Sequence, residues 1–380
     1  MRRLLFWTAA AALVHTYLLM PALILLRGWL HPRPYGAAEI APSVSLIIAA
    51  HNEEAVIGAK LENLLALDYP RERLEIVIAS DGSDDGTDGI VRSHEGRGVR
   101  LLSLPREGKA AALNAAVAAS SGEILVFSDA NSIYAPGAVR ALVRPFADPQ
   151  VGGVAGDQRY LRDPAAAGTA EGERRYWDLD RRLKLAESRA GNAVSATGAI
   201  YAIRRELFRE VPSGVTDDFV TSTAVIAGGR RLVFAQDAVA YEPVAVSRGA
   251  EYGRKVRVMT RGLTGVVRRR ELLDPRRHGF YAVQLLWHKA LRRLMVYPLL
   301  VLAITSPLLW RRGRLYRAAT LGQAAFYGLG VAGIVLSGTP IGRRRLLAVP
   351  AFFCLVNAAA LHATLNLVRG RRIDRWESRR

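Results

Sequence analysis

Long apolar stretches lie towards both ends of this 380-residue chain, and a region with shorter, alternating apolar patterns separates them. The first stretch runs from Leu4 to Leu26, close to the ~20 apolar residues that a helix needs to cross a bilayer. We expect three further membrane helices after the middle region, at Leu294 to Trp310, Ala318 to Leu336 and Leu346 to Val368. The pattern therefore predicts an N-terminal anchor at residues 1–30 and membrane segments at residues 294–368.

A cleaved signal peptide is the alternative for the first stretch, because Arg2 and Arg3 precede it. We favour an uncleaved anchor, since the apolar part is too long for a signal peptide and no small-residue cleavage site follows Trp29. Residues 281–293 show a different pattern, with apolar side chains at helical spacing opposite basic ones. That pattern is typical of an amphipathic helix that lies in the membrane interface.

The middle region alternates strand-like apolar runs with periodic, helix-like segments. The run from Val44 to Ala50 is continuously apolar, as expected for a strand that is buried on both faces. Further strands are predicted at 74–79, 99–104, 124–128, 199–203 and 232–235, and helices at 53–67, 84–94, 109–119, 171–187 and 219–227. This alternation predicts an α/β domain with a mostly parallel sheet.

We place the α/β domain at residues 44–262, after a proline-rich linker at residues 31–43. Residues 263–293 are predicted to form a second linker and the interfacial helix, and residues 369–380 a basic tail. The chain thus combines one α/β domain with membrane helices on both sides.

Basic residues outnumber acidic ones, with 53 Lys and Arg against 34 Asp and Glu, which gives a formal net charge of +19. Much of this excess is arginine beside the apolar stretches, where anionic lipid headgroups attract it. Because the sequence has no nucleic-acid fold signature, we expect membrane lipid rather than nucleic acid as a partner. The single cysteine, Cys354, excludes an intramolecular disulfide and a cysteine zinc site.

Acidic side chains follow two of the predicted strands directly. Asp81 comes after the second strand, and Asp129 with Asn131 comes after the fourth. Carboxylates at the carboxyl edge of a parallel sheet lie where α/β folds bind nucleotides. Oxygen ligands also suit the divalent cations that bridge diphosphates. A turn with a helix cap is the alternative interpretation of each motif, because Asp, Asn, Gly and Ser all favour turns.

Three further polar segments suit a charged substrate. Lys109 opens a helix whose N-terminus can attract phosphate, although an ordinary solvated lysine is the alternative. Asp217 and Asp218 precede another helix, and adjacent carboxylates near a phosphate site suit a general base. Arg254 and Arg257 share one helical turn, so we expect an anionic partner there, either a diphosphate or a lipid headgroup.

Taken in order, these segments resemble the family 2 inverting glycosyltransferases of the GT-A fold. The resemblance is to the membrane branch, which includes cellulose, hyaluronan and poly-N-acetylglucosamine synthases, and it runs from about Ser43 to Gly262. The segments that carry it are Ser45 to Glu53, the Asp81 turn, Gly108 to Asn114, Asp129 to Asn131, Gly198 to Phe208 and Thr216-Asp217-Asp218. The last of these takes the place of the family's Thr-Glu-Asp.

The resemblance implies which residues face the donor nucleotide: His51, Glu53, Asp81, Lys109 and Asp129. A nucleotide-sugar donor is implied with them, and we expect a UDP-sugar.

The resemblance also implies a metal and a base. Asp129 and Asn131 take the place of the family's metal-binding Asp-x-Asp, so Mg²⁺ or Mn²⁺ is the implied cofactor. Asp218 takes the place of the catalytic base, with Asp217 and Gly198 on the acceptor side.

One departure from the family pattern bears on product length. Processive polysaccharide synthases carry Gln-x-x-Arg-Trp after the base, whereas Arg254 to Arg257 lies in that region here and no Trp follows it directly. We expect Arg254 and Arg257 to hold the leaving diphosphate. We also expect one or a few sugars to be added per acceptor, with a processive polysaccharide synthase as the alternative.

The expected activity is inverting transfer of a sugar from the nucleotide-diphosphate donor to a hydroxyl of a lipid-linked or glycan acceptor. We place the chain in the inner cell membrane as a multi-pass protein with its catalytic domain in the cytosol. A non-catalytic membrane scaffold with a degenerate domain is a further alternative, which the presence of Asp81, Asp129 and Asp218 disfavours.

Overall fold

The computed structural model describes residues 1–160, 170–242, 248–342 and 344–371, apart from the side chains of residues 170–178 and 248–251. The predicted basic tail therefore lies largely outside the described residues. The described residues fall into two compact units. The sheet unit comprises residues 27–160 and 184–242, and the helical unit comprises residues 1–26, 170–183 and 248–371. The predicted domain boundaries at residues 44 and 262 stay predictions.

The helices and strands are numbered in chain order. The described helices are α1 (Arg2–Val14), α2 (Met20–Leu30), α3 (Glu54–Leu65), α4 (Thr87–Arg92), α5 (Lys109–Ala119), α6 (Ala138–Val143), α7 (Ala170–Ala190), α8 (Asp217–Ala227), α9 (Arg248–Arg268), α10 (Pro275–His278), α11 (Phe280–Leu285), α12 (Arg292–Leu294), α13 (Val296–Leu308), α14 (Arg314–Val335) and α15 (Arg345–Val368). The described strands are β1 (Val44–Ala50), β2 (Leu74–Asp81), β3 (Val99–Leu104), β4 (Ile124–Phe127), β5 (Ile133–Tyr134), β6 (Val151–Tyr160), β7 (Tyr201–Arg204) and β8 (Arg231–Glu242).

Within the described part of the chain, eight strands form one sheet in the order β3-β2-β1-β4-β7-β6-β8-β5. The strands β1 to β4 run parallel, and β6 runs parallel to β8. The strands β5 and β7 pair antiparallel with their neighbours. The predicted α/β fold with a mostly parallel sheet is confirmed.

The core lies on both faces of the sheet, which explains why its central strands are continuously apolar. All seven residues of β1 are buried, and Leu46 and Ile48 pack in one cluster with Ile57 and Leu61 of α3 and Val126 of β4. Because β1, β2 and β4 are parallel, their carboxyl ends meet at one edge of the sheet. That edge carries His51 just after β1, Asp81 at the end of β2 and Asp129 in the turn after β4.

The strand β6 was not predicted from the sequence, although the first seven of its ten residues are buried. Three glycines within it, Gly152, Gly153 and Gly156, conceal the usual strand pattern. Close packing explains why these positions are glycine: a Cβ on Gly156 would lie only 2.7 Å from the Ala238 carbonyl oxygen, too close for a side chain. The short strand β5 was missed as well, because two residues carry no recognisable period.

The helical unit contains most of the apolar residues at the two ends of the chain. Within the described residues, three helices are long and apolar enough to cross a membrane: Arg2–Leu30, Arg314–Val335 and Arg345–Val368. The segments Phe280–Leu294 and Val296–Leu308 meet the same test together but are bent by 44° at their junction. The apolar stretches are therefore helical as expected, and the interfacial position of residues 281–293 stays a prediction.

A buried indole links two of these segments where each has a π-helical turn, at His15–Leu19 and Leu286–Leu291. Trp287 is 2% exposed, and its Nε1–H donates to the Thr16 carbonyl at 2.9 Å. A π-helical turn displaces the regular backbone pattern, so its carbonyls can meet a partner from another helix. The hydrogen bond thus ties the N-terminal helix to the start of the bent pair.

Small residues bring α14 and α15 into close contact. A Cβ on Gly333 would lie 2.9 Å from the Ala351 Cβ and nearer still to the Leu347 carbonyl, and one on Gly330 would lie 3.1 Å from the Pro350 carbonyl oxygen. Glycine at these positions lets the two backbones approach, as is common between helices in membranes.

We expect Gly333→Ala to destabilise the helical unit, because the added methyl group would meet backbone atoms that cannot move independently. Overpacking of this kind costs about 1–3 kcal/mol. Gly328→Ala is the matched control on the same helix, since no described atom lies within 4 Å of the position of its Cβ. Thermal unfolding of the full chain in detergent measures both variants. A Tm for Gly333→Ala as high as that of the control would contradict the packing.

Candidate active site

The turn after β4 presents Asp129 and Asn131 at the carboxyl edge of the sheet. The N–H of Ser132 closes this turn by donating to the Asp129 carbonyl at 3.3 Å. The Asp129 side chain is 34% exposed, so its carboxylate reaches solvent. Gly198 lies directly against it, because a Cβ there would sit only 2.9 Å from Asp129 Oδ2. The structure thus brings together a predicted metal ligand and a predicted acceptor-side residue.

The ammonium group of Lys109 joins two carboxylates that are distant in sequence. Its Nζ lies 2.7 Å from Asp129 Oδ1 and 3.1 Å from Asp217 Oδ2. Burial alone lowers the pKa of Lys109, but the carboxylates of Asp129 and Asp217 together outweigh burial and raise it above its ordinary value. Lys109 therefore stays protonated at physiological pH. We call Lys109, Asp129 and Asp217 the Lys109 cluster.

Asp217 and Asp218 are the first two residues of α8. The backbone N–H groups of a first helical turn lack partners within the helix, and carboxylates are favourable there. Asp218 Oδ1 accepts the N–H of Phe219 at 2.7 Å. Tyr201 is buried close to both carboxylates, and its pKa is raised well above the ordinary value by burial first and then by Asp217 and Asp218. Its hydroxyl therefore stays neutral beneath these acids.

Asp81 fixes the loop that presents Lys109. It is 1% exposed at the end of β2, and its Oδ1 accepts the N–H groups of Glu107 and Gly108, each at 2.8 Å. Its Oδ2 pairs with Arg106 at 3.0 Å. Gly108 has a φ of 101°, which favours glycine and lets the loop turn directly into α5. The predicted contact of Asp81 with a nucleotide stays a prediction.

The loop after β1 places His51 and Glu53 beside Asp81. The Nδ1 of His51 lies 2.9 Å from the Asp81 carbonyl oxygen, and Glu53 is 3% exposed. Between them, Asn52 has a φ of 53°, uncommon for a residue with a side chain. Its amide holds this geometry by exchanging hydrogen bonds with Asp84 in both directions. The nucleotide roles of His51 and Glu53 stay predictions.

Asp129 and Asn131 supply the kind of oxygen ligand that Mg²⁺ or Mn²⁺ prefers. Among the described residues, no group of three or more His, Cys, Asp or Glu is placed to hold a metal ion. Mg²⁺ usually takes one or two protein carboxylates and obtains its other ligands from substrate phosphates and water. The residues therefore fit such an ion in combination with a phosphorylated substrate.

Arg254 and Arg257 lie on α9 in the helical unit, Arg254 exposed and Arg257 half-buried. Their contact with a diphosphate stays a prediction.

Several residues that support the site were not predicted as such. Asn114 exchanges hydrogen bonds with the backbone of Val211 at 2.9 and 3.0 Å, which fixes the loop that leads to Asp217. Tyr201 was missed because nothing in a buried strand distinguishes a tyrosine beneath an active site. Lys60 was missed although a signal exists, since it stands on the apolar stripe of α3 between buried residues.

Comparisons with known proteins identify the domain. Residues 45–212 match glycosyl transferase family 2. The chain is 37% identical over 116 residues to a beta-monoglucosyldiacylglycerol synthase from Synechocystis, a match that covers 29% of this chain and 24% of that protein. It is 27% identical over 187 residues to a poly-beta-1,6-N-acetyl-D-glucosamine synthase from Staphylococcus epidermidis, covering 48% of this chain and 44% of that protein. The chain thus spans less than half the length of these two curated relatives.

A solved structure extends the similarity to nearly the whole chain. It is a mannosyltransferase from Pyrobaculum calidifontis in complex with GDP-Man and Mn²⁺, 25% identical with a TM-score of 0.70, and the match covers 97% of this chain and 100% of that one. The family match runs from β1 to β7, and Asp217, Asp218 and β8 lie beyond it but within the part of the chain that the solved structure covers. Residues 45–212 therefore form a family 2 glycosyltransferase domain with the GT-A fold.

Proposed function

We propose that this chain is a membrane-anchored inverting glycosyltransferase. It moves a sugar from a nucleotide-diphosphate donor to a hydroxyl of a lipid-linked or glycan acceptor. The observation that carries the proposal is the Lys109 cluster, in which one ammonium lies 2.7 and 3.1 Å from two carboxylates. Fixed charges of both signs at the carboxyl edge of the sheet suit a diphosphate with its metal ion.

The departing diphosphate is stabilised by positive charge from two sources. Asp129 and Asn131 would hold Mg²⁺ or Mn²⁺, which supplies Lewis-acid neutralisation of the leaving group. Lys109 adds an ammonium at the N-terminus of α5, where backbone N–H groups also attract phosphate. Such preorganised charge acts where negative charge develops as the bond between sugar and phosphate breaks.

Asp218 removes the proton from the acceptor hydroxyl. Asp217 is already paired with Lys109 through its Oδ2, so it serves as a fixed anion that orients the lysine. Asp218 follows it in the first turn of α8, in the place of the family's base. The deprotonated hydroxyl then attacks the anomeric carbon opposite the leaving diphosphate, which inverts the configuration there.

Named relatives support the classes of donor and acceptor. The Pyrobaculum calidifontis structure contains GDP-Man, so GDP-sugars stand beside the expected UDP-sugars as candidate donors. The Synechocystis relative is named for a glucosylated diacylglycerol, which supports a lipid acceptor. The apolar helices of the helical unit support a location in the inner cell membrane, and we place the sheet unit in the cytosol.

The Staphylococcus epidermidis relative is named as a polymer synthase, which favours processive synthesis as the second candidate function. The sequence after Arg257 lacks the tryptophan of Gln-x-x-Arg-Trp and favours one or a few sugars per acceptor. The mass distribution of the product separates these two activities.

A donor screen tests the proposed function. Membranes that contain the full chain are supplied with UDP-sugars and GDP-sugars in turn, and released nucleoside diphosphate is measured. We expect release with at least one donor, well above that of membranes containing Asp218→Asn. If no donor gives release above those control membranes, the chain is not a glycosyltransferase of this kind.

Asp218→Asn should lower turnover by ~10²-fold or more, the scale of general base catalysis, because an amide cannot take up the proton. Donor affinity should change little. The matched control is Asp68→Asn, since Asp68 is 63% exposed and pairs with Arg140, where an ion pair contributes about 0–1 kcal/mol. Steady-state kinetics compare the two variants, and near-normal turnover in Asp218→Asn would transfer the role to Asp217.

Asp129→Ala should abolish activity, and excess Mn²⁺ should not restore it, because the variant loses the only carboxylate assigned to the ion. EDTA should abolish the activity of the wild-type protein, and added Mg²⁺ or Mn²⁺ should restore that activity. Release of nucleoside diphosphate is followed before and after each addition. Full wild-type activity in EDTA would remove the metal from the mechanism.

A further inference from the structure

Lys60 is a buried lysine whose side chain contacts the turn that carries Asp129 and Asn131. It is 0% exposed and lies on α3 in the apolar stripe with Ile57, Leu61 and Leu64. Lysine is almost never fully buried unless its ammonium group is paired, because a buried charge must recover the interactions it loses with water. The partners of this ammonium therefore indicate what the residue does.

The ammonium of Lys60 binds both ends of the turn. Its Nζ donates to Ser128 Oγ at 2.8 Å and to the carbonyl oxygen of Ser132. It also lies 4.1 Å from the centre of the Tyr134 ring, within the range of a cation–π contact. Residues 129–131 are thus held between two groups that bind one nitrogen atom.

A buried acid also supports the same turn, through Ser132. Ser132 Oγ donates to Glu242 Oε1 at 2.8 Å, and Glu242, 8% exposed, also accepts a hydrogen bond from the Gln158 amide. Burial lowers the pKa of Lys60 to about 7, and the charges of Asp129 and Glu242 act in the opposite direction. An apolar side chain of similar length would fill this space without that electrostatic penalty. The side-chain nitrogen of Lys60 therefore supplies hydrogen bonds that packing alone does not.

We propose that Lys60 is a positioning residue for the metal and diphosphate site: it fixes the 128–132 turn so that Asp129 and Asn131 face the substrate in one geometry. The inference rests on the proposed function, because it assigns a consequence to the ion that Asp129 and Asn131 would hold. Lys60 touches neither substrate nor ion in this role. Its effect on the ligands passes through Ser128 and Ser132.

The test is the affinity of the full chain in detergent for Mn²⁺, measured from the electron paramagnetic resonance signal of free Mn²⁺ with UDP or GDP present. Lys60→Met keeps the length of the side chain and removes the donor. We expect it to weaken Mn²⁺ binding by ~10- to 100-fold, the usual effect of removing a group that orients a metal ligand. Lys60→Arg, which keeps a charged donor, should recover part of the affinity.

Leu61→Ala is the control for a general loss of packing, because it empties a buried position next to Lys60 on the same helix. It should lower the Tm of the protein and leave Mn²⁺ affinity within ~2-fold of the wild type, since its side chain binds neither end of the turn. If Leu61→Ala and Lys60→Met weaken Mn²⁺ binding equally, the effect is one of packing and the proposal is wrong.

Ser128→Ala provides a second route that leaves the buried lysine in place. We expect a several-fold loss of Mn²⁺ affinity, and we expect a smaller loss when Lys60→Met is already present, because the hydrogen bond between the two residues is then already absent. Additive losses in the double variant would overturn the proposal. If Lys60→Met is too unstable to measure, wild-type Mn²⁺ affinity in Ser128→Ala would overturn it.

The same titration separates failure of the inference from failure of the proposed function. If the wild-type chain binds no Mn²⁺ in the presence of UDP or GDP, the proposed function is rejected, and the proposed role of Lys60 is rejected with it. If the wild type binds Mn²⁺ and Lys60→Met binds it equally well, the role of Lys60 alone is rejected.

Discussion

The structure of the site depends on one shared cation. Lys109 stands between Asp129 and Asp217, at 2.7 and 3.1 Å, and without it two carboxylates would repel each other at the edge of the sheet. A lysine in the first turn of a helix is opposed by the helix dipole, so its position is explained by the two acids rather than by α5. Hydrogen bonds to charged groups contribute about 1.5–3 kcal/mol each, enough to outweigh that opposition.

Each member of the Lys109 cluster is supported by a polar side chain behind it, buried at Asp81 and Lys60 and half-buried at Asn114. Asp81 accepts two backbone N–H groups from the loop before Lys109, and Asn114 fixes the loop that leads to Asp217. Lys60 binds both ends of the turn that carries Asp129. In all three cases a polar side chain satisfies backbone or hydroxyl groups behind the site. The loops therefore owe their geometry to the sheet unit, although their tips reach solvent.

The local pattern of apolar and polar residues predicted much of the fold, and close packing explains the main strand that it did not predict. The strands β1 and β3 and the helix α5 have their predicted bounds, because turn-forming residues such as Gly98, Pro105 and Gly108 flank apolar-rich segments there. The strand β6 was missed because glycines replace side chains where other elements crowd against it. Such glycines look like a loop in the sequence, since the atoms that exclude a Cβ come from residues far away in the chain.

The same limit applies to the site. A carboxylate after a strand or just before a helix can be recognised in the sequence, so Asp129, Asp217 and Asp218 were predicted as site residues. The sequence could not separate Asp81, which is buried and bound on both oxygens, from acids that face solvent. The place of Lys60 on the apolar stripe of α3 was its one signal in the sequence, and it was missed because a lysine on a helix normally reaches water. Burial is a property of the assembled sheet unit, so the burial of Asp81 and of Lys60 follows only from the folded structure.

The side chains of Asp81 and Lys60, behind the site, are more deeply buried than those of the Lys109 cluster, so substitutions at the two places should differ in their effect on stability. The side chains of Lys109 and Asp217 are 17% and 16% exposed and that of Asp129 is 34% exposed, whereas Asp81 and Lys60 are at 1% and 0%. Removing an exposed charge leaves its former partners in contact with water, but removing a buried partner leaves a desolvated group behind. A change at Asp129, the most exposed of these side chains, should therefore cost less stability than a change at Asp81 or Lys60, which alters stability as well as chemistry. A substitution at Asp81 or Lys60 consequently needs a binding measurement with a packing control such as Leu61→Ala.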